Sequence, residues 1–150
     1  MADWRGPGAL VRTWTAAING DVTVILDGSL LYEGPAERFM MWTYSELAQR
    51  EGIIEADVER GFHQNMACYF PIPFAESLRI EWTGQLDRLH FYHMEARLYE
   101  EGTQVQSFAT GDLTTYSAEI ERAIAILADT EATYPEADGT TYDLRAEVPA

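Results

Sequence analysis

The sequence predicts an all-β fold, a single jelly roll (antiparallel β-sandwich) with one or two short surface helices. Short stretches with a two-residue apolar period recur along the chain, and turn-forming residues separate them. Helical patterns are few and do not alternate with the strands, which argues against a doubly wound α/β fold. A chain of 150 residues is long enough for one domain, so we predict a jelly-roll domain over residues 1–130 and a C-terminal arm or linker over residues 131–150.

The first predicted elements are a strand and a hairpin. Asp27-Gly28, within VTVILDGSLLYEG, joins two β-rich runs, and both residue types tolerate the positive φ of a tight hairpin turn. In the preceding run, GPGALVRTW, a Gly-Pro-Gly turn leads into a strand. Strict alternation in that strand puts Leu10, Arg12 and Trp14 on one face and Val11, Thr13 and Thr15 on the other.

A helix is predicted next, within a long connection that lasts until about Met66. From Ala36 to Glu51 the apolar period lengthens, TYSELAQREG contains good helix formers, and Gly52 is placed to stop the helix.

The stretch ACYFPIPFAESLRIEW, residues 67–82, carries two prolines in an aromatic strand-like run. Pro71 and Pro73 have the same parity, so their missing N–H groups point to one side. A central strand would lose two ladder bonds there, whereas an edge strand or barrel corner loses none. We therefore predict a protected edge, a turn, and a regular strand from Ser77 to Trp82.

The longest alternating run, LHFYHMEARLYEEG, predicts a long strand that Gly102 ends, and TQVQSF (residues 103–108) is expected to pair back as a further strand. We expect the even-numbered face to be mostly core. The odd-numbered face consists of Leu89, Phe91, His93, Glu95, Arg97 and Tyr99, and the even-numbered face of His90, Tyr92, Met94, Ala96 and Leu98.

A surface helix packed on the sheet is predicted for SAEIERAIAIL, where Ser117 is placed to cap it. Its apolar stripe consists of Ile120, Ala123, Ile124 and Leu127. The final stretch, EATYPEADGTTYDLRAEVPA, shows several turn residues and no period, which is typical of a linker or an arm.

The composition excludes several classes of function. The net charge is −15 and every one of the 10 basic residues is arginine, so nucleic acid is not an expected partner. No apolar run is long enough to span a membrane and no export signal is seen, so we expect a soluble, by default cytoplasmic protein without a membrane partner. The single cysteine, Cys68, is expected to be a buried structural residue.

The odd-numbered face of the long strand holds the candidate binding or interface residues. His93, Glu95 and Arg97 place a base, an acid and a cation about 6–7 Å apart along the strand, with Tyr99 next on the same face. Such a row can hold a sugar hydroxyl or a carboxylate, or it can form a self-satisfied ion pair at an interface. Arg12 is a further candidate, because arginines are expected at the contacts between copies of an acidic protein.

No metal or other cofactor is predicted. His90 and His93 face opposite ways in a strand, and His63 is isolated in a predicted loop. The four tryptophans, Trp4, Trp14, Trp42 and Trp82, offer stacking faces for sugar rings, but aromatic residues in an all-β core are more often packing residues. A glycosidase needs two carboxylates about 5–9.5 Å apart, and with 25 acidic residues the composition cannot nominate a pair.

Four segments, GPGALVRTW, VTVILDG, YFPIPFAESLRI and FYHMEARLYEEGTQVQSF, occur in the order found in glycoside hydrolase family 172. The chain resembles the first jelly-roll half of that family from about Trp4 to Leu127. This resemblance implies a jelly-roll fold, and a relation to enzymes that cleave furanosides, including α-fructofuranosides and arabinofuranosides, by a retaining two-glutamate mechanism. It also implies two jelly rolls per subunit and trimers like those of double jelly-roll capsid proteins.

The family's catalytic glutamates lie in the second half, near a Gly-Thr-Glu-Asp-Tyr-like segment. The segment ADGTTYDL resembles it superficially but lacks the acidic pair, so the resemblance carries no catalytic residue over to this chain.

Three functional hypotheses follow. The first is a non-catalytic single jelly-roll assembly module related to the furanoside-cleaving enzymes, inactive on its own. The second is a truncated or split half of an α-furanosidase, active only with a second jelly-roll domain. The third is a carbohydrate-binding domain that uses the His93 face. For the first we expect a homo-oligomer, a hexamer in preference to a trimer, because six single barrels replace three double ones, and we expect assembly to strengthen with salt.

Overall fold

A computed structural model describes residues 1–53, 59–89 and 91–129 of the chain. Within these ranges short strands form two antiparallel sheets with a few short helices, which confirms the predicted β-sandwich. The predicted arm or linker, residues 131–150, and His90 of the long strand lie outside the described residues. No helix in the described ranges is long and apolar enough to cross a membrane.

The strands are β1 (Ala2–Arg5), β2 (Gly8–Thr15), β3 (Asp21–Leu26), β4 (Ser29–Pro35), β5 (His63–Gln64), β6 (Ala67–Cys68), β7 (Ile72–Phe74), β8 (Ser77–Thr83) and β9 (Tyr92–Leu98). The helices are α1 (Ala36–Arg50), α2 (Glu59–Phe62), α3 (Asp112–Thr115) and α4 (Ser117–Ala128).

The two sheets differ in how their strands are arranged. Sheet A has the order β1-β8-β3-β4, and sheet B has the order β5-β6-β2-β7 with β9 also paired to β2. In sheet B, β7 pairs with the beginning of β2 and β6 with its end, so both lie along one edge of β2. Strand β9 pairs with nearly the whole of β2 and therefore lies along its other edge.

The predicted hairpin at Asp27-Gly28 is confirmed. Asp27 and Gly28 have φ of 46° and 79°, and they join β3 to β4 with Leu26 opposite Ser29. The Asp27 side chain also anchors the connection between β7 and β8. Its carboxylate accepts hydrogen bonds from the backbone N–H groups of Ala75 (3.1 Å), Glu76 (2.8 Å) and Ser77 (2.6 Å) and from the hydroxyl of Ser107.

Strand β2 contains a register shift that the alternation in the sequence does not reveal. Leu10 lies opposite Ala96 but Arg12 lies opposite Glu95, so Val11 is an extra residue in β2. The predicted common face of Leu10, Arg12 and Trp14 is therefore wrong: Leu10 points into the core at 1% exposure, together with Thr13 and Thr15. The bulge leaves Arg12 and Trp14 on the outer face of sheet B.

Helix α1 covers the sandwich core with Phe39, Met40 and Leu47, each fully buried. It confirms the predicted helix, and Gly52 follows it with φ of 74°. Trp42 has non-helical φ and ψ of −130° and 31°, which kinks the helix. Two carbonyl groups just before the kink accept hydrogen bonds from side chains outside the helix. Met40 accepts from the hydroxyl of Thr13 (2.6 Å) and Met41 from the Nδ1–H of His63 (2.8 Å).

The proline strand β7 lies at an edge, as predicted. Pro73 pairs with Ala9 of β2, and its carbonyl accepts the N–H of Phe108 at 2.9 Å. The N and C=O of one strand residue lie on the same side, so the missing N–H of Pro73 faces away from β2 and costs no bond to it. Residues 103–108 make only this one backbone bond to a described strand rather than a ladder, so the further strand predicted for TQVQSF is wrong.

Strand β9 is an outer strand of sheet B, and this position overturns the prediction that its even-numbered face is core. Tyr92 and Leu98 are 41% and 54% exposed, while Met94 and Ala96 are only partly buried. A strand with a neighbour on one side only is shielded less than a central strand, and alternation does not distinguish the two positions.

Helix α4 is confirmed; it packs mainly on α2 and also contacts the end of β5 in sheet B. Ile124 lies against Gly61, where an added Cβ would come within 2.5 Å of it, and Gln64 donates to the carbonyl of Leu127 at 3.0 Å. Ser117 is the first helical residue instead of the predicted cap, and the preceding Tyr116 makes no side-chain capping bond.

Candidate binding or interface site on sheet B

The pairing of β2 with β9 brings three of the predicted candidates together. Arg12 lies directly opposite Glu95, and Trp14 lies opposite His93. Tyr69, which follows β6, adds a hydroxyl on the other side of Arg12. We call Arg12, Tyr69, His93 and Glu95 the Arg12 cluster.

Arg12 is the centre of this cluster. Its Nη1 lies 2.7 Å from Oε1 of Glu95 and 3.2 Å from Nδ1 of His93, and its Nε donates to the Tyr69 hydroxyl at 3.4 Å. The same Oε1 of Glu95 lies 3.1 Å from Nδ1 of His93. Nδ1 of His93 can donate a hydrogen bond to Glu95 when it carries a proton, or accept a hydrogen bond from Arg12 when it does not, so the tautomer decides its role beside the ion pair.

The electrostatics of the cluster are those of a partly exposed ion pair. Hydrogen bonds with Tyr69 and then with Glu95 raise the pKa of Arg12 above its ordinary value. The side chains of Arg12 and Glu95 are 26% and 43% exposed, so solvent screens the pair and its net contribution to stability is about 1 kcal/mol or less. The cluster contains one carboxylate, and Arg12 compensates its charge.

The other two candidates lie outside the cluster. Arg97 is exposed opposite Ala9 and makes no side-chain hydrogen bond or ion pair with the described residues. Tyr99 is 39% exposed. The predicted row of base, acid and cation thus forms with Arg12 in place of Arg97. A directly opposite residue has its Cβ about 4.5–5.5 Å away, closer than the residue two positions along the same strand.

The free edge of β9 is a second feature of this face. The carbonyl of Phe91 accepts the N–H of Ala16 (3.1 Å), and the N–H of Tyr99 donates to the carbonyl of Pro7 (2.9 Å). Odd-numbered residues therefore direct their backbone groups towards β2, and even-numbered residues direct theirs away from it. Among the described residues no strand pairs with that outward side. Large apolar side chains along this edge are exposed: Phe91 (65%), Tyr92 (41%), Leu98 (54%) and Tyr99 (39%).

The remaining histidine and the cysteine have structural environments. His63 begins β5 and stacks on Trp42 with ring centroids 3.5 Å apart, so the prediction of an isolated loop residue is wrong. Two-residue strands leave no alternation from which such a hairpin could be predicted. Cys68 is buried at 2% exposure, as predicted. Over the described ranges no three His, Cys, Asp or Glu side chains are grouped to hold a metal ion.

Two features were not predicted from the sequence. Tyr69 joins the Arg12 cluster although 57 residues separate it from Arg12, and no local pattern marks such a contact. An apolar groove of about 300 Å³ also lies between the proline strand and α4. Its lining includes Phe70, Pro71, Pro73, Phe108, Tyr116 and Ile120.

Comparisons with known proteins agree with this architecture. A family model for the GH172 first β-sandwich domain matches residues 1–116, a range that contains every strand of both sheets and ends just before α4. Comparison with the curated proteins and with the solved structures finds no match.

Proposed function

Because the chain belongs to the GH172 family through its first β-sandwich domain, we propose that it is a non-catalytic jelly-roll module that assembles into homo-oligomers. The observation that carries the proposal is the free edge of β9, which combines outward-facing backbone groups with exposed Tyr92 and Leu98. Unpaired edges and contiguous apolar surface mark sites where another chain binds. A hexamer is the preferred assembly, and a trimer or dimer is the alternative if only one kind of contact forms.

The Arg12 cluster supports assembly over catalysis. A retaining glycosidase needs a nucleophilic carboxylate and an acid about 5–5.5 Å apart. Glu95 is the single carboxylate of the cluster, and its Oε1 is shared by Arg12 and His93. The cluster therefore suits a contact surface better than bond cleavage.

Two measurements test the proposal. We expect the purified chain to leave aryl α-fructofuranosides and arabinofuranosides intact, and light scattering to give a mass above that of one chain. Turnover that survives purification and is lost in Glu95→Gln would contradict the non-catalytic role. A monomeric mass at high protein and salt concentration would contradict the assembly role, since salt screens the repulsion expected from a net charge of −15.

Carbohydrate binding is a second candidate, favoured by the outer face of β2. Trp14 lies opposite His93 and two residues from Arg12, so an aromatic ring and hydrogen-bonding groups share one surface, as sugar sites require. Titration with methyl furanosides, followed by the NMR signals of the Trp14 indole, tests it. Saturable shifts that Arg12→Ala removes support sugar binding, and unchanged signals up to high sugar concentration refute it.

The split-hydrolase hypothesis has its own test. Mixing the chain with a second GH172 jelly roll that contains the catalytic glutamates would generate furanosidase activity that neither part has alone. Activity of the mixture no greater than the sum of its parts would refute this alternative.

A further inference from the structure

We propose that β9 pairs antiparallel with β9 of a second copy across a twofold axis at Ala96, which doubles the five-stranded sheet B. The inference deepens the proposed assembly function and rests on it, because it names one surface through which two copies meet; a hexamer needs a second kind of contact as well. It follows from three properties of β9: its backbone, its charges and its apolar face.

The backbone of β9 is ready to accept another strand. Tyr92, Met94, Ala96 and Leu98 direct their N–H and C=O groups to the free edge, while the odd-numbered residues bond to β2. The strand is 7 residues long and, in its described residues, contains neither a proline nor a bulge that would block pairing. A second β9 in antiparallel orientation has the same outward-facing residues, so both strands form ladder bonds at once.

The charges of β9 favour a register centred on Ala96 over one centred on Glu95. With the axis at Ala96, Glu95 lies opposite Arg97 of the second copy, and twofold symmetry creates this pair twice. These are non-hydrogen-bonded pairs, in which side chains approach most closely. Centring the strands on Glu95 instead would place two glutamates opposite each other, and like charges there are destabilising.

The two side chains are also available for this contact. Arg97 has no side-chain partner among the described residues. Glu95 contacts both Arg12 and His93 through Oε1, and its Oε2 accepts no hydrogen bond from the described residues. Oε2 can therefore accept from Arg97 of the second copy without breaking the Arg12 pair.

The same register matches the apolar face. Met94 lies opposite Leu98 of the second copy, on the side where Leu98 is 54% exposed, and Ala96 lies opposite its own copy on the axis. Small side chains on the axis let the larger pairs on either side approach. Pairing thus covers apolar surface as well as backbone groups.

Arg97→Glu is the first test variant, because it places two acidic side chains opposite each other at both symmetric positions. We expect the dissociation constant between copies to rise at least about tenfold, measured by analytical ultracentrifugation. Arg88→Glu is the matched control: it makes the same charge change at an exposed residue of the turn Leu86–Arg88 and should leave the dissociation constant unchanged.

Ala96→Pro is the second variant, because it removes an N–H that points to the free edge and spares the bonds to β2. Circular dichroism confirms that each variant folds, and Arg97→Glu alone carries the test if the proline variant does not. In the wild-type chain, the amides of Met94, Ala96 and Leu98 should gain protection from hydrogen exchange as protein concentration rises.

The outcomes separate this inference from the proposed function. Oligomers that Arg97→Glu weakens and Arg88→Glu does not support β9 pairing. Oligomers that both folded variants leave intact overturn β9 pairing and keep the assembly function, whereas a strictly monomeric wild-type chain overturns both. Edge amides that are protected equally at all concentrations indicate that another part of the same chain covers β9, which also overturns the inference.

Discussion

Replacing Asp27 by alanine is expected to destabilise the sandwich more than any exposed substitution. The carboxylate accepts three backbone N–H groups, from Ala75, Glu76 and Ser77, and the hydroxyl of Ser107. A hydrogen bond to a charged group contributes about 1.5–3 kcal/mol. Because Asp27 is only half-buried, water can replace part of this set, and we expect a total loss of about 3 kcal/mol. For a chain of this length, that lowers Tm by about 6–12 °C.

The assay is urea unfolding followed by tryptophan fluorescence, with two comparison variants. Asp87→Ala removes one acidic charge from the exposed turn Leu86–Arg88 and should change the free energy of unfolding by less than about 0.5 kcal/mol. Asp27→Asn tolerates φ of 46° but keeps one acceptor oxygen, so it should lose about half as much as Asp27→Ala. Equal losses for Asp27→Ala and Asp87→Ala would refute the anchoring role of the carboxylate.

The same group gives stability a dependence on pH. Burial raises the pKa of Asp27, but the hydrogen bonds from Ser107, Ser77, Glu76 and Ala75 outweigh it and hold the pKa below its ordinary value of 3.8. The folded state therefore binds this proton less readily than the unfolded chain. The stabilisation is complete well above pH 3.8 and is lost as the pH falls below that value through the lowered pKa. The difference between wild type and Asp27→Ala should shrink over that window, and a difference independent of pH would show that the charge of the carboxylate is not what stabilises the connection.

Two further substitutions test the packing of the sandwich, both by urea unfolding. Gly20→Ala should lower the free energy of unfolding by at least about 2 kcal/mol, because Gly20 has φ of 75° and an added Cβ would clash with the carbonyl oxygen of Thr83. Gly111 lies in open space, so Gly111→Ala should be nearly neutral. Equal losses for the two variants would contradict this. Thr13→Val should cost about 1–2 kcal/mol, because it removes the hydroxyl bonded to the carbonyl of Met40, and an unchanged free energy of unfolding would show that this bond contributes nothing.

Local chemistry explains which parts of the fold could be predicted from the sequence. Asp27-Gly28 determines its hairpin through the φ values that the two residues tolerate, and Pro73 marks an edge because it lacks an N–H. Such signals lie within a few residues of the structure they determine. The same holds for α1, where good helix formers precede Gly52.

Non-local pairing explains what could not be predicted. The extra residue at Val11 is defined by the register between β2 and β9, and it decides that Arg12 faces outwards beside Glu95. The position of β9 at the outside of sheet B likewise depends on which strands pair. Alternation does not reveal this position, and the prediction that the even-numbered face of β9 lies in the core was therefore wrong. His93 and Glu95 were identified as neighbours from parity, but their cation is Arg12, from a strand 83 residues away from Glu95.

Pro73 of β7 limits how sheet B can extend on the side of that strand. The outward-facing carbonyl of Pro73 is already bonded to Phe108, and Pro73 has no N–H to donate. In β9, by contrast, every outward-facing residue has both an N–H and a C=O group. Pairing through β9 uses the free edge of that strand in both copies, so this contact joins two copies and does not continue to a third. The sequence thereby permits a finite ribbon through sheet B and disfavours the endless strand addition that leads to fibrils.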